Sequence, residues 1–269
     1  MITKGEISHN AKIKIYPDGT QRVLCASSPC FIEKGWENAD WKPTKRKRSK
    51  KDGSENEDAN RERAARRARA EVRDIALCTP FTQFVTLTLS AEVVDRYDMT
   101  AITRKLNAWL SNQVQRRGLA YVLVPERHRD GAIHFHGLFN DALERVDSGT
   151  VILPEGGKPR KPRSNAQRAA WLNAGGRVVW NLPGWTLGFT TALDLVGEYR
   201  NAVGYVCKYI GKQGDKPGGR WYYSGGALGR PVVILADLDY RTLQAESGAY
   251  EFEVPEAGKS FVLVTYDAT

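Results

Sequence analysis

At 269 residues, 41% hydrophobic and 26% charged, the chain is long enough to bury a core and too apolar to remain an unfolded polyelectrolyte. Forty Lys and Arg against thirty-one Asp and Glu give a formal net charge of +9, which favours a polyanionic partner such as nucleic acid. No apolar run approaches the ~18 residues of a membrane helix, the first residues lack a signal-peptide core, and Cys25, Cys30, Cys78 and Cys207 form no Cys-x-x-Cys pair. A membrane partner, a secretory leader and a structural zinc site are therefore not expected, and the cysteines read as reduced thiols of a cytoplasmic protein.

Residues 1–43 hold short alternating runs. Ala11 to Tyr16 and Arg22 to Cys25, separated by Pro17-Asp18-Gly19, predict a small hairpin. A basic run follows: Lys45, Arg46, Lys47, Arg48, Lys50 and Lys51. It reads equally as a solvated linker and as a DNA-contacting arm. Ala59 to Val72, rich in Ala, Arg and Glu, predicts a helix whose arginines could lie on phosphate. These pieces make 44–78 a basic linker and Arg-rich helix.

The folded core is expected to begin near Thr79-Pro80. Phe84 to Leu89 alternates as a strand with Thr86 and Thr88 on one face. Asp98 caps a helix over 101–117 that Gly118 ends. Leu119 to Pro125 and Ala132 to Phe139 form the arms of a hairpin. Residues 140–185 read as an insertion built on a Gly/Pro/basic loop. Strands are expected at 178–180 and 189–193, a helix at 201–210, and further strands at 220–224, 231–235 and 261–264. The order predicts an α+β fold, a central antiparallel β-sheet with helices packed mainly on one side. Its main domain spans 79–235, and 236–269 is a strand-rich extension.

The chemistry concentrates at two places. His134 and His136 are two residues apart, so a strand puts both imidazoles on one face. Glu126 lies across the predicted hairpin and within reach of them. Two nitrogens and one carboxylate with open positions suit Mg²⁺ or Mn²⁺ better than a closed zinc cage. In the 201–210 helix, Tyr205 and Tyr209 share a face, and each is followed three residues on by a lysine, Lys208 and Lys212. An ammonium and a metal nearby both favour a phenolate. Each feature has an ordinary alternative: half-buried histidines, a solvated Glu126, a packing stripe of tyrosines.

Taken together, an apolar/Thr strand, His-hydrophobic-His and then Tyr-x-x-Lys on a helix resemble the motif order of the HUH endonucleases, initiators of rolling-circle DNA replication. Tyr205-Val206-Cys207-Lys208-Tyr209 is similar to the paired-tyrosine motif of small single-stranded DNA phage initiators. The whole run, about residues 80–235, looks like the filamentous-phage gene II and plasmid replication-protein branch. The resemblance implies that His134, His136 and Glu126 bind the divalent metal. It makes Tyr205 and Tyr209 the nucleophiles, Tyr205 first, with Lys208 and Lys212 stabilising charge. The implied partners are single-stranded or hairpin origin DNA, a host helicase and a host DNA polymerase, in the cytoplasm of a bacterial host of a phage or plasmid. A relaxase or single-strand transposase would use the same chemistry. A non-catalytic DNA-binding regulator would use the basic arm and the sheet alone. A histidine-triad hydrolase is excluded because position 138 is Leu138. No Gly-x-x-x-x-Gly-Lys-Ser/Thr loop is present to drive unwinding.

Overall fold

The computed structural model describes residues 7–33, 54–195, 197, 199–212, 216–254 and 258–268. The basic run from Lys45 to Lys51 lies outside the described residues. In chain order the strands and helices are β1 Ile7–His9, β2 Ala11–Ile15, β3 Gln21–Ala26, β4 Phe31–Glu33, α1 Ser54–Cys78, β5 Gln83–Leu89 and α2 Met99–Arg117. There follow β6 Tyr121–Arg127, β7 Ile133–Phe139, β8 Val146–Ile152, α3 Asn165–Asn173, β9 Arg177–Asn181, β10 Gly188–Asp194 and α4 Tyr199–Tyr209. The chain ends with β11 Tyr223–Gly225, β12 Val232–Ala236, α5 Tyr240–Gln244, β13 Tyr250–Val254 and β14 Lys259–Tyr266.

These elements divide into two compact units, one of residues 53–229 and one joining residues of 1–52 to those of 230–269. The second unit contains a five-stranded antiparallel sheet in the order β12-β2-β3-β14-β13. The predicted hairpin forms its centre, β2 and β3 pairing from Ala11↔Cys25 to Ile15↔Gln21. The expected boundaries therefore move. Residues 1–43 and 236–269 are not separate segments, and β12 leaves the 79–235 domain to pair with β2. Pairing between strands roughly two hundred residues apart leaves no local pattern from which to read it.

The larger unit is built on a seven-stranded antiparallel sheet, β11-β6-β7-β5-β10-β9-β8. Residues 140–185, expected as an insertion, contribute β8 and β9 to its edge. Period-two alternation divides the sheet's side chains between two cores. Val85, Leu87, Leu123, Ile133, Phe135 and Phe139 face α2 and meet its Ile102, Leu106, Trp109 and Leu110. Val122, Val124 and Leu138 point the other way, against α1 and α4. The α+β class and antiparallel sheet are as expected. The helices, however, are shared between both faces rather than gathered mainly on one. Each buried Leu or Phe contributes roughly 1.5–3 kcal/mol.

The Arg-rich segment is longer and more buried than its composition suggests. Ala65, Ala68, Val72, Ile75 and Ala76 recur at helical spacing and are buried against β6 and α4. The folded unit thus begins before Thr79, because small alanines make a packing stripe that arginines on the other faces disguise. Asp98 caps α2 as expected, its carboxylate accepting from the Thr100 and Ala101 amides, and Gly118 closes the helix in the left-handed region at φ 71°.

One glycine fixes how closely β6 and β7 approach. A Cβ at Gly137 would stand 1.9 Å from the Val122 carbonyl oxygen and 2.9 Å from the Leu123 Cα. Backbone cannot yield as a side-chain tip can. Gly137→Ala is expected to destabilise the unit by roughly 3 kcal/mol or to prevent folding. Gly204→Ala, in α4 where a Cβ meets nothing within 4 Å, should instead be neutral or stabilising by up to about 1 kcal/mol. Urea midpoints of the two variants check the pair.

Candidate active site

The histidine strand β7 lies between β6 and β5, and its register lines up two rows on one sheet face. Glu126 stands opposite His134, His134 opposite Thr88, and Thr88 opposite Phe189. One step along, Val124, His136, Thr86 and Thr191 form the second row. The threonines hold the imidazoles: Thr86 Oγ1 is 3.0 Å from His136 Nδ1, and Thr88 Oγ1 is 3.2 Å from His134 Nδ1. Fixing Nδ1 leaves Nε2 as the outward atom on each ring. On His136 that atom lies 2.9 Å from Glu126 Oε2.

Burial lowers the pKa of both imidazoles. For His136 the Glu126 carboxylate opposes burial without overcoming it, and for His134 the neighbouring His128 adds to the lowering. At neutral pH the His136–Glu126 contact is therefore a hydrogen bond donated by a neutral Nε2–H, with Thr86 donating to Nδ1. A hydroxyl can donate or accept, so the threonine also suits the opposite tautomer, in which Nε2 offers its lone pair.

The sign of the pH effect on stability follows. An unfolded chain protonates its histidines near 6.5, while the folded one keeps these two neutral to lower pH. Stability is thus complete above about 6.5 and falls as pH drops through the lowered values. Imidazole C2–H NMR titrations should place both midpoints below 6.5. Midpoints at or above that value would contradict the burial argument.

Helix α4 reaches this face because Val203, Val206 and Cys207, continued by Ile210 just past its end, form a buried stripe, with Tyr209 packed at its margin and Tyr205 exposed. Tyr209 stacks on His136, ring centroids 4.2 Å apart and planes 12° from parallel. Its hydroxyl donates to the Tyr205 hydroxyl at 2.7 Å. Tyr205 is 48% exposed and meets the Phe84 ring edge-on at 5.4 Å. Burial, and then the hydrogen bond it donates to Tyr205, push the Tyr209 phenol well above its ordinary pKa.

Gly211, at φ 76°, turns the chain after α4, and Arg69 of α1 caps the helix end by donating from Nε to the Ile210 carbonyl at 3.0 Å. The turn brings Lys212 back. Its ammonium lies 5.4 Å from the Tyr209 ring centroid and 2.9 Å from Glu126 Oε1. That hydrogen bond to Glu126 raises the Lys212 pKa, so it stays charged.

Of the expected residues, His134, His136, Glu126, Tyr205, Tyr209 and Lys212 come together here, and Lys208 is exposed on α4 apart from them. The three expected ligands share a face without forming a ready cage. Among the described residues no three His, Cys, Asp or Glu side chains gather closely enough to hold a metal. The reason is visible at Glu126, whose two oxygens are engaged by His136 and Lys212. The donor chemistry still fits a divalent cation: two neutral imidazoles anchored at Nδ1, with a carboxylate already touching one Nε2.

Three neighbours escaped the sequence reading. His128 lies 5.0 Å from His134 between ring centroids, and its spacing from Glu126 repeats the His-x-His interval, which could have signalled it. Phe84 packs against both His136 and Tyr205. Phe189 stands on the same face with nothing in its local sequence to mark it.

A two-faced antiparallel α+β sheet carrying paired histidines beneath a tyrosine helix is the HUH-like arrangement. Residues 82–214 match the family described as replication-associated protein, of the ORF2 and gene II protein type. This segment, which holds every residue of the site, thus matches a family of rolling-circle replication initiators. No curated protein and no solved structure matches it.

Proposed function

We propose that the protein initiates rolling-circle replication by nicking single-stranded origin DNA, with a tyrosine as nucleophile. The observation that carries this reading is the stack of Tyr209 on His136 with its hydroxyl given to Tyr205, which sets a phenol oxygen beside the imidazole pair. Tyr205 accepts that hydrogen bond and is the more exposed of the two. Its oxygen is therefore the better placed to carry negative charge and to attack first. Attack at a backbone phosphorus forms the Tyr–O–P bond and breaks the bond to the leaving 3′ oxygen. The phenolic proton goes to solvent or a nearby base, and the leaving oxygen takes one up to become a free 3′ hydroxyl. Tyr209, one helical turn away, would serve the second transfer that rejoins the strand. Lys212 supplies a positive charge next to the phenols.

His134, His136 and Glu126 would hold the divalent cation, Mg²⁺ or Mn²⁺, with the Lys212 ammonium exchanging Glu126 for a DNA phosphate. Bound there, the cation would supply Lewis acidity to the phosphate oxygens. Host helicase and polymerase would act on the nicked origin, in the cytoplasm of a bacterial host. The basic run from Lys45 to Lys51 would add sequence-independent attraction to DNA.

The test is a covalent adduct. Circular single-stranded DNA incubated with the full chain and Mn²⁺ should yield a protein–DNA species that survives denaturing gels, and EDTA should prevent it. Binding without any adduct on DNA carrying the replicon's own origin would leave a DNA-binding regulator instead.

A further inference from the structure

The sheet face that carries the histidines continues past them onto β10, to Phe189 and Thr191. Phe189 is 72% exposed, the most exposed large apolar side chain among the described residues. On the β5 side it is paired with Thr88, whereas β9 meets β10 only at Ala192↔Trp180, so among the described residues the far side of Phe189 carries no paired strand. By register it closes the row that runs Glu126, His134, Thr88, Phe189. Its ring makes no contact with another ring or cation among the described residues.

Two residues along the same face, Thr191 enters a groove of about 540 Å³ whose walls include Thr86, Asn201, Arg177 and Tyr205. That volume is within the roughly 300–1,000 Å³ of sites holding one small ligand. No carboxylate lines it, and Arg177 brings its charge there, its guanidinium in no ion pair among the described residues. Thr86 and Tyr205 belong to both places: one anchors His136, the other is the proposed nucleophile. The groove is thus continuous with the reacting oxygen.

We propose that Phe189 and this groove seat the unpaired nucleotides adjoining the cleaved phosphate of single-stranded DNA. One base stacks on the Phe189 ring, and a neighbouring phosphate meets Arg177. A flat exposed ring suits a base without reading its identity, and a lone guanidinium beside neutral walls suits a phosphate. This rests on the nicking reading for its choice of ligand but not for its test.

The test uses the full chain in EDTA, so that only binding is read. The probes are fluorescein-labelled (dT)₂₀ and an abasic strand of equal length, followed by anisotropy. Phe189→Ala should weaken (dT)₂₀ roughly ten-fold and leave the abasic strand unchanged, with Phe189→Trp restoring the difference. Arg177→Ala should weaken both strands and lower the salt slope by about one. Unchanged binding of (dT)₂₀ by Phe189→Ala, or equal loss on both strands, overturns the stacking platform. If the selective loss appears but no covalent adduct ever forms, the subsite stands and the nicking reading falls. If adducts form normally and Phe189→Ala binds as wild type, the reverse holds. Failure of the wild type to bind (dT)₂₀ sinks both.

Discussion

Replacing Tyr205 and Tyr209 together by phenylalanine is expected to remove the covalent protein–DNA adduct entirely, a loss of roughly 10³-fold or more in nicking. The rings themselves are retained, so the stack on His136 and the edge contact with Phe84 should survive, and the variant should melt near the wild type. The single variants should separate the roles. Tyr205→Phe removes the exposed oxygen that accepts the hydrogen bond, so the adduct should be lost almost as completely. Tyr209→Phe removes only the donor and should leave slower first cleavage, with strand rejoining lost. A double variant that still nicks circular single-stranded DNA would end the tyrosine assignment.

The second large effect is at the imidazoles. His136→Ala is expected to lower nicking roughly 100-fold or more, because it deletes the group that meets Thr86, Glu126 and Tyr209 at once. The fold should hold. His136 lies at the sheet surface with 14% of its side chain exposed, and losing one ring stack costs about 1 kcal/mol. Circular dichroism melting beside the nicking assay separates chemistry from stability. Normal nicking by a folded His136→Ala would remove the metal-site reading and leave the histidines as packing residues.

Both expectations depend on a geometry that the sequence displayed unevenly. Local signals carried far. Alternation at 84–89 and 133–139 set which side chains share a face, and Thr86, Thr88, His134 and His136 do lie together. Asp98 and Gly118 bounded α2 because capping and left-handed turns depend on neighbours a few residues away. The Tyr205–Tyr209 pair followed from the helical period. Glu126 came within reach through a hairpin whose turn, closed by the His128 amide donating to the Ala132 carbonyl at 2.7 Å, is also local.

Other features needed the assembled chain. Lys212 was read as a charge beside the tyrosines, but only the turn at Gly211 and the cap from Arg69 carry it to Glu126. The alanine stripe of α1 has meaning only once β6 and α4 are there to receive it. Phe189 is one more aromatic in a strand until register sets it in line with His134, and β12 belongs with β2 only through long-range pairing.

What the sequence determined alone was therefore which histidines, tyrosines, lysines and carboxylate to weigh as a site and the elements that bear them, since side-chain period and capping act over a few residues. What the tertiary structure decided was which of those groups meet: the carboxylate shared by His136 and Lys212, the ring of Tyr209 laid on an imidazole, the helices divided between two faces of the sheet. Lys212 and Glu126 are 86 positions apart in the chain, and packing across such a distance is set by the whole core rather than by any stretch of it.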